Sequence, residues 1–223
     1  MRKIRVSQIL VFGCLVTAAV ALSVATVWLA LGRVPLGDFR GVVLTIAFLV
    51  FLYVYAIIAY RLFLRVSPLH AGEIAEGSQQ EFVYHVYILF YLLLFYPVMR
   101  SGIMPAPFMR LFYLALGTRL GENTYSQGII HDPPFVEIGS NSVVGQSALL
   151  VPHVIEGNKL AHYPIRIGNN VTVGANSAVL SDVVIGDGAI VATGAVVPKG
   201  TRVGPGETWG GVPAKRIRGP ADG

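Results

Sequence analysis

Residues 167–206 read IGNNVTVGANSAVLSDVVIGDGAIVATGAVVPKGTRVGPG, and this stretch repeats every six residues. The first position of each unit holds a branched aliphatic residue: Ile167, Val173, Val179, Ile185, Val191, Val197 and Val203. The fourth position holds residue types that tolerate a positive φ: Asn170, Asn176, Asp182, Gly188, Gly194, Gly200 and Gly206. A hydrophobic chain supplies some aliphatics by chance, but not a turn residue three positions after each one. The joint pattern predicts short strands separated by regular corners.

The six-residue unit predicts a parallel β-helix. Three units make one triangular coil, and each coil buries its aliphatic row by stacking on the next coil. The same frame extends backwards, more weakly toward its start, through Leu150, Val144, Ile138, Ser126 and Leu120. From Leu150 to Ile167 the spacing is 17 residues, where three units would need 18. The frame therefore slips, and we expect a protruding loop over Val151–Pro164.

These repeats resemble the hexapeptide-repeat acyltransferases, which include sugar and serine O-acetyltransferases. The likeness also rests on the loop histidine His153 and on the closing run GGVPAKRIR at 210–218, and it covers roughly residues 116–219. It implies a left-handed β-helix, acetyl-CoA or another acyl-CoA as donor, and a homotrimer. Handedness comes from the resemblance alone, since parallel crossovers are otherwise right-handed. The segment HDPPFVEIG at 131–139 is similar, more loosely, to β-helical modules of poly-lysine synthetase-like enzymes.

The first hundred residues predict a membrane anchor. The chain is 54% hydrophobic and 13% charged, with a mean hydropathy of +0.63, which is too apolar for a simple soluble domain. Ile9–Leu31 and Gly41–Tyr60 carry no charge and are long enough for a hydrocarbon core of about 30 Å. A cleaved signal peptide is the alternative for the first run, but it lacks a clear cleavage site. Residues 1–66 are therefore interpreted as two transmembrane spans.

Charge bias predicts the orientation of these spans. Basic residues flank the start of the first span and the end of the second, and such residues favour the cytoplasm: Arg2, Lys3, Arg5, Arg61 and Arg65. Two spans return the chain to the cytoplasm, where coenzyme A is present. We therefore expect a multi-pass protein of the cytoplasmic membrane, with a β-helix domain over residues 118–223 that faces the cytoplasm.

Residues 67–117 are interpreted as an interfacial or re-entrant linker. Its apolar stretch Phe82–Val98 has 17 residues and is rich in tyrosine, which is short for a span and typical of the interface. We expect a hairpin there, because a third span would put the β-helix outside. Met104–Gly117 is predicted as an amphipathic helix on or near the membrane, with Arg110 on the water side. Its apolar stripe is Met109, Phe112, Tyr113 and Leu116.

Composition excludes a disulfide within the chain and argues against nucleic-acid binding. The single cysteine, Cys14, excludes a disulfide within the chain. The net charge of +5 comes mostly from basic residues that flank the apolar runs and from the carboxyl-terminal segment. No basic face with base-reading or stacking groups is present, so nucleic-acid binding is not expected.

His153 is the candidate catalytic base. Transfer of an acyl group from a thioester to a hydroxyl needs a base and a site that aligns both substrates, and no covalent nucleophile. An imidazole with a pKa near 6.5 suits this role, and the position of His153 matches the catalytic histidine of the resembling enzymes. His162 is a candidate contact to the acceptor, and a structural role in the loop is the equal alternative. Three carboxylates are candidates to orient the imidazole: Asp132, Glu137 and Glu156.

The resemblance also implies where the donor binds. In the resembling enzymes, coenzyme A lies along a groove between neighbouring β-helices. The matching positions here are Gly174, Ala175, Thr193, Gly194, Lys199, Lys215 and Arg218. One position departs from the family pattern, since Thr172 stands where an aromatic residue is usual.

The sequence therefore predicts a membrane-anchored O-acyltransferase that acetylates a membrane-associated glycan or lipid-linked acceptor, with no metal. N-acylation of an amine is the nearest alternative. Gamma-type carbonic anhydrases share the fold and bind zinc through histidines, although the spacing of His153 and His162 does not match theirs. A non-catalytic trimeric scaffold is the remaining alternative, and the nearly intact donor motif argues against it.

Overall fold

A computed structural model describes residues 2–220, which form two compact units. The helical unit comprises residues 2–69 and 77–93. The β-helix unit comprises residues 70–76 and 94–220, and every strand of the described chain lies in it. The sequence-predicted boundaries at residues 66 and 117 differ from this division, because part of the linker packs with each unit.

The helices precede the coils. They are α1 (Val6–Leu31), α2 (Arg40–Val66), α3 (Gln79–Phe90), α4 (Tyr96–Ser101) and α5 (Ala106–Leu116). A π-helical turn, Tyr91–Phe95, joins α3 to α4. By length and composition, three helical segments could cross a membrane: Val6–Leu31, Gly37–Val66 and Gln79–Ser101. The first two bury only 11% and 6% of their most apolar window inside the protein, whereas the third buries 50%. The apolar amino-terminal helices that composition predicts are therefore present.

In the helical unit, α3 runs parallel to α1. Nη1 of Arg2 lies 3.0 Å from Oε1 of Glu81, and the ring centroids of Phe12 and Phe90 are 5.0 Å apart. The two contacts are ten residues apart in the first segment and nine apart in the second, in the same chain direction, so the helices are parallel. Ser78 caps α3, because its hydroxyl accepts a hydrogen bond from the amide of Glu81. The amino-terminal ends of α1 and α3 therefore lie at the same level.

The segment expected to form a hairpin, Phe82–Val98, belongs to one helical segment from Gln79 to Ser101. The predicted segment began at the first apolar residue, Phe82, which is too late. The helix begins at Gln79, because Ser78 caps it and its first residues are polar. Pro97 does not end the segment, since it lies in the first turn of α4, where proline is tolerated. The hairpin is thus corrected to a helix, while its location in the interface stays a prediction.

The strands of the β-helix unit form three parallel sides and one hairpin. Side 1 consists of β2 (Arg119–Leu120), β5 (Val136–Ile138), β10 (Ile165–Ile167), β13 (Val184–Ile185) and β16 (Arg202–Val203). Side 2 consists of β3 (Tyr125–Ser126), β6 (Val143–Val144), β11 (Thr172–Val173), β14 (Ile190–Val191) and β17 (Thr208–Gly210), edged by antiparallel β18 (Lys215–Arg218). Side 3 consists of β4 (Ile129–Ile130), β7 (Leu149–Leu150), β12 (Ala178–Val179) and β15 (Val196–Val197). The hairpin sheet consists of β1 (Gly72–Glu73), β9 (Lys159–His162) and β8 (His153–Glu156).

The corners confirm the six-residue frame. All seven predicted turn positions have a positive φ, from 54° at Asn170 to 75° at Gly200. The seven aliphatic first positions are buried, with at most 3% of their surface exposed. Neighbouring coils pair in register, so that Val173 lies between Val144 and Val191. This is the parallel β-helix that the repeats predict.

The first coil departs from the frame at its third strand. Ile130 pairs with Leu150, so the inward residue comes four positions after Ser126 and not six. Asp132, which the frame would place in the aliphatic row, adopts a left-handed φ of 45° and precedes a 3-10 turn over Pro133–Phe135. As a result, the Asp132 carboxylate lies next to the protruding hairpin and not in the core of the coil.

The protruding loop expected at Val151–Pro164 is an antiparallel hairpin. Strands β8 and β9 pair with Ile155 opposite Leu160, and Gly157 at the turn has a φ of 58°. Strand β1 extends this sheet, with Gly72 opposite His162. The hairpin is therefore held by a strand that precedes α3 in the chain.

The apolar stripe of α5 packs on the coils and not on the membrane, which corrects the sequence-based interpretation. Its four side chains are buried: Met109, Phe112, Tyr113 and Leu116. The Tyr113 hydroxyl donates to the carbonyl oxygen of Gly128 at 2.8 Å, and Arg110, which was expected on the water side, is half-buried and donates to the carbonyl oxygen of Gly121. Helix α5 contacts β2 and β3, so its stripe covers the first coil, whose apolar surface has no preceding coil to cover it. The exposed apolar residues of α5 are Phe108, Leu111 and Leu114.

Candidate active site

The hairpin sets His153 against Asp132. His153 opens β8, and its Nδ1 lies 2.5 Å from Oδ2 of Asp132. The carboxylate side chain is 3% exposed, whereas the imidazole is 29% exposed. A buried carboxylate thus holds a ring that remains accessible from solvent. Of the three carboxylates that the sequence left open, Asp132 is the one in contact with His153.

This contact determines what the imidazole can do. An ionised carboxylate only accepts hydrogen bonds, so Nδ1 of His153 carries the proton that it donates to Asp132. In the neutral ring, Nε2 is then the unprotonated nitrogen, with a lone pair that can accept a proton. The arrangement is that of a general base whose tautomer is fixed by a carboxylate.

His162 lies on the other side of the same carboxylate. Its Nε2 is 3.6 Å from Oδ1 of Asp132, and its ring stacks on Phe135 with centroids 4.4 Å apart. It pairs with His153 across the hairpin and is fully buried. The expected contact with the acceptor is thus corrected, because no surface of His162 is exposed in the described chain. Its position fits a residue that helps to orient Asp132.

The charges of the cluster reinforce one another. Burial alone would raise the pKa of Asp132, but the hydrogen bond with His153 and the electrostatic attraction of the two imidazoles outweigh burial and hold this pKa far below its usual range. Burial alone would lower the pKa of His153, but the hydrogen bond with Asp132 outweighs it, and the pKa of His153 is raised. Asp132 therefore stays ionised, and His153 is a stronger base than an isolated imidazole.

Sequence reasoning missed two neighbours of the base. The His131 ring meets the His153 ring edge-on at 5.8 Å, and the Tyr96 ring lies 5.8 Å from His131 on another side. Burial lowers the pKa of His131, with opposing effects from Asp132 and His153. On sequence grounds His131 is only the neighbour of Asp132 in the chain. No sequence signal connected Tyr96 with the β-helix, because it lies 35 residues before His131 in an apolar helix.

Glu137 and Glu156 lie outside this cluster. Oε2 of Glu137 is 2.9 Å from Nη2 of Arg119, and both side chains are exposed on side 1. Glu156 pairs with Nζ of Lys199 at 2.6 Å near the hairpin turn. The predicted orienting role of Glu137 therefore has no geometric support. Lys199, a predicted phosphate contact, is occupied by a carboxylate in the described chain.

Four of the predicted donor residues meet at the corner that follows side 2. Gly174 and Ala175 stack on Thr193 and Gly194 of the next coil, where the Gly194 amide donates to the Ala175 carbonyl at 2.9 Å. A Cβ on Gly174 would come within 2.5 Å of the Thr193 amide nitrogen. Coil stacking alone thus explains this glycine, and its role toward a donor stays a prediction.

Lys215 and Arg218 lie at the edge of the same side. Both belong to β18, where Lys215 pairs with Gly210 and Arg218 with Thr208. Both side chains are exposed, and neither forms an ion pair within residues 2–220. The structure therefore places these two cations on the same side as the Gly174 corner, whereas His153 follows β7 of side 3.

A groove of about 810 Å³ runs along side 1. Its polar lining includes Arg119, Glu137, Arg166, Asn169 and Asp187. His153 is not among its lining residues, so we assign the candidate chemistry to the Asp132 cluster. In the described part of the chain, no group of three or more His, Cys, Asp or Glu side chains is arranged to hold a metal ion.

Comparison with known proteins identifies the repeats. Residues 164–199, about one sixth of the chain, match the family described as bacterial transferase hexapeptide (six repeats). The matched segment forms coils on all three sides, and the fold is the left-handed parallel β-helix of such repeats, preceded by apolar helices. No curated protein sequence matches the chain.

Similar solved structures are hexapeptide-repeat acetyltransferases. One from Vibrio cholerae O1 biovar eltor, complexed with acetyl coenzyme A, is 25% identical over 48% of this chain and 62% of its own, with a TM-score of 0.44. A galactoside acetyltransferase in complex with coenzyme A is 23% identical over 55% and 77%, with a TM-score of 0.43. A maltose O-acetyltransferase from Clostridium difficile 630 is 17% identical over 75% and 86%, with a TM-score of 0.45. The chain thus spans less than two thirds of the Vibrio structure.

Proposed function

We propose that this protein is a membrane-anchored acyltransferase that moves an acetyl group from acetyl-CoA to a hydroxyl of a membrane-associated glycan or lipid-linked acceptor. One observation carries the proposal. A hexapeptide-repeat β-helix presents an accessible imidazole, His153, whose Nδ1 is held at 2.5 Å by the buried carboxylate of Asp132. The apolar helices motivate the acceptor class, since a soluble acceptor would not require residence at the bilayer.

The proposed reaction needs only proton transfers from this chain. Nε2 of His153 takes the proton of the acceptor hydroxyl while the oxygen attacks the thioester carbonyl. The carbon–sulfur bond then breaks, the new carbon–oxygen bond remains, and the imidazolium returns the proton to the departing thiolate. Asp132 stabilises the imidazolium without itself becoming protonated. The products are the acetyl ester and coenzyme A.

We also propose a homotrimer with the donor bound between copies. The Gly174 corner and the cations of β18 follow side 2, whereas His153 follows side 3. A neighbouring β-helix could bring a donor held at one copy's corner to the hairpin of another copy. The exposed cations Lys215 and Arg218 suit the phosphates of coenzyme A.

Changing both Lys215 and Arg218 to Ala should weaken acetyl-CoA binding by roughly tenfold or more, because charge-assisted contacts to phosphate are lost. Calorimetric titration of the detergent-solubilised protein measures this affinity, and light scattering should still report a trimer. The matched control is Arg33→Ala, an exposed cation of the α1–α2 connection. Equal affinity in the double variant would rule out these residues as donor contacts.

The cytoplasmic location of the β-helix unit is part of the proposal, and the position of β1 supports it. Strand β1 precedes the helical segment Gln79–Ser101, and its partner β9 follows it. A full crossing by that segment would separate two strands that pair. From Val66 to Gly72 the chain reaches at most roughly 20 Å, less than a hydrocarbon core of about 30 Å. The hairpin thus belongs on the side of the membrane where α2 ends, and the basic residues near that end, Arg61 and Arg65, favour the cytoplasm.

Reporter fusions test this orientation. Reporters before residue 1 and after residue 223 should both report the cytoplasm, whereas one inserted in the α1–α2 connection near residue 36 should report the opposite side. Green fluorescent protein and alkaline phosphatase at the same positions provide complementary signals. A carboxyl terminus outside the cytoplasm would remove access to coenzyme A and refute the acetyl-CoA proposal.

A further inference from the structure

A chain of ring contacts leads away from the candidate base to helix α4. The rings of His153 and His131 are 5.8 Å apart, and those of His131 and Tyr96 are also 5.8 Å apart. The guanidinium of Arg100 lies over the Tyr96 ring at 5.7 Å. Tyr96 and Arg100 are four residues apart and share one face of α4. The proposed base and an arginine of α4 are therefore joined by three consecutive contacts within the β-helix unit.

Arg100 is an unusual cation in its surroundings. Residues 92–114 contain only two charged side chains, Arg100 and Arg110, and Arg110 is engaged with a backbone carbonyl. Arg100 is exposed, and within residues 2–220 no carboxylate pairs with it. Two exposed apolar side chains of the same unit follow it in sequence, Ile103 and Phe108. An exposed guanidinium that is close in sequence to exposed apolar side chains suits an anionic group at a lipid surface.

The position of Arg100 in the last turn of α4 explains in part why a cation is present there. A cation in the last turn of a helix is favoured by the helix dipole, but any exposed cation would serve that purpose. The contact with Tyr96 adds to this, because it holds the guanidinium against the ring that also contacts His131. Guanidinium groups bind phosphate oxygens in a bidentate manner, which an ammonium group does not.

We propose that Tyr96 and Arg100 form the acceptor subsite, and that the acceptor carries a phosphate or diphosphate group. Arg100 binds the phosphate, the aromatic faces of Tyr96 and His131 contact the ring that bears the hydroxyl, and His153 takes the hydroxyl proton. A lipid chain on the phosphate contacts the exposed apolar residues that follow Arg100 in sequence, Ile103 and Phe108. This inference rests on the proposed function, since it names the substrate class of the same site.

Three probes separate the parts of this proposal: farnesyl diphosphate, farnesol and inorganic pyrophosphate. Their dissociation constants are measured on the full-length detergent-solubilised protein, for the wild type and for Arg100→Gln, Arg100→Lys and the control Arg33→Gln. We expect farnesyl diphosphate to bind at least tenfold more tightly than farnesol. Arg100→Gln should remove this preference, because a charge-assisted contact is lost, and Arg100→Lys should retain part of it. Arg33→Gln should bind all probes as the wild type does.

Each outcome decides a separate point. Pyrophosphate that binds as tightly as farnesyl diphosphate would assign the subsite to a soluble phosphate-bearing acceptor and refute the lipid chain. Equal binding of farnesol and farnesyl diphosphate, or an unchanged Arg100→Gln, would overturn the subsite. If phosphatidylglycerol vesicles compete with farnesyl diphosphate at the same concentration, Arg100 is a general contact to anionic lipids. That result would also overturn the acceptor subsite. Acetyl-CoA binding is measured in parallel, so that its absence in the wild type identifies a failure of the proposed function instead.

Discussion

Replacing His153 by alanine should reduce acetyl transfer by about 10² to 10⁴ while acetyl-CoA still binds, because loss of a positioned general base typically costs this much in rate. The loss should appear in kcat, since the proton is removed only as the hydroxyl attacks. His153 is partly exposed at the start of β8, so its removal leaves the coils unchanged. Initial rates of coenzyme A thiol release in the presence of acceptor measure the effect.

Two variants sharpen this experiment. His153→Asn can still donate to Asp132 through its amide nitrogen but lacks the second ring nitrogen, so it should lose as much activity as His153→Ala. His70→Ala changes an exposed histidine of the β-helix unit that is not part of the cluster and should be close to wild type. A His153→Ala variant with near wild-type kcat would show that the base has been assigned to the wrong residue. The metal and scaffold alternatives would then regain support.

Replacing Asp132 by asparagine should produce a loss of similar size, up to about 10⁴, because an amide no longer fixes the tautomer of the catalytic ring. It should also move the pH profile. Asp132 raises the pKa of His153 above its usual value, and only the neutral ring can accept a proton. In the wild type, kcat/KM should therefore fall as the pH drops through a value above about 6.5. In Asp132→Asn this limb should move to lower pH.

Glu137→Gln is the matched control for Asp132→Asn. Glu137 is also a candidate on sequence grounds, although the likeness of residues 131–139 to poly-lysine synthetase-like modules favours Asp132. Its exposed pair with Arg119 lies on side 1, so the activity and pH profile of Glu137→Gln should be those of the wild type. Light scattering and circular dichroism establish that Asp132→Asn keeps its assembly and fold. An acidic limb that stays in place in Asp132→Asn would contradict the coupling between Asp132 and His153.

The sequence predicted the coils well because their signal is local. Each corner needs a residue that accepts a positive φ, and each strand needs one inward aliphatic, so both requirements recur within six residues. The frame slip between Leu150 and Ile167 also predicted the protruding loop, since a spacing of 17 residues does not fit three six-residue units and the chain must leave the coil there. Its form as a hairpin paired with β1 was not predictable, because Gly72 and Glu73 carry no strand pattern of their own.

The candidate site was only partly predictable. Asp132 and His153 are 21 residues apart, and their contact depends on the shortened third strand of the first coil and on the left-handed conformation of Asp132. Neither feature can be recognised from the six-residue repeat of the sequence. The α5 stripe was read correctly as a helix face, but composition does not distinguish a face that covers a protein core from one that covers a lipid surface.

The most direct test of the central claim follows the acetyl group itself. Membranes that contain the wild type, His153→Ala or no copy of the protein are incubated with acetyl-CoA labelled in its acetyl carbon, and label in the lipid and glycan fractions is compared with the thiol released. We predict that the wild type transfers label to a membrane component in equal amount to the thiol, as an alkali-labile ester, and that His153→Ala transfers about 10² to 10⁴ less. Label that appears equally with His153→Ala, or thiol release without any labelled membrane component in the wild type, would contradict acetyl transfer by this site.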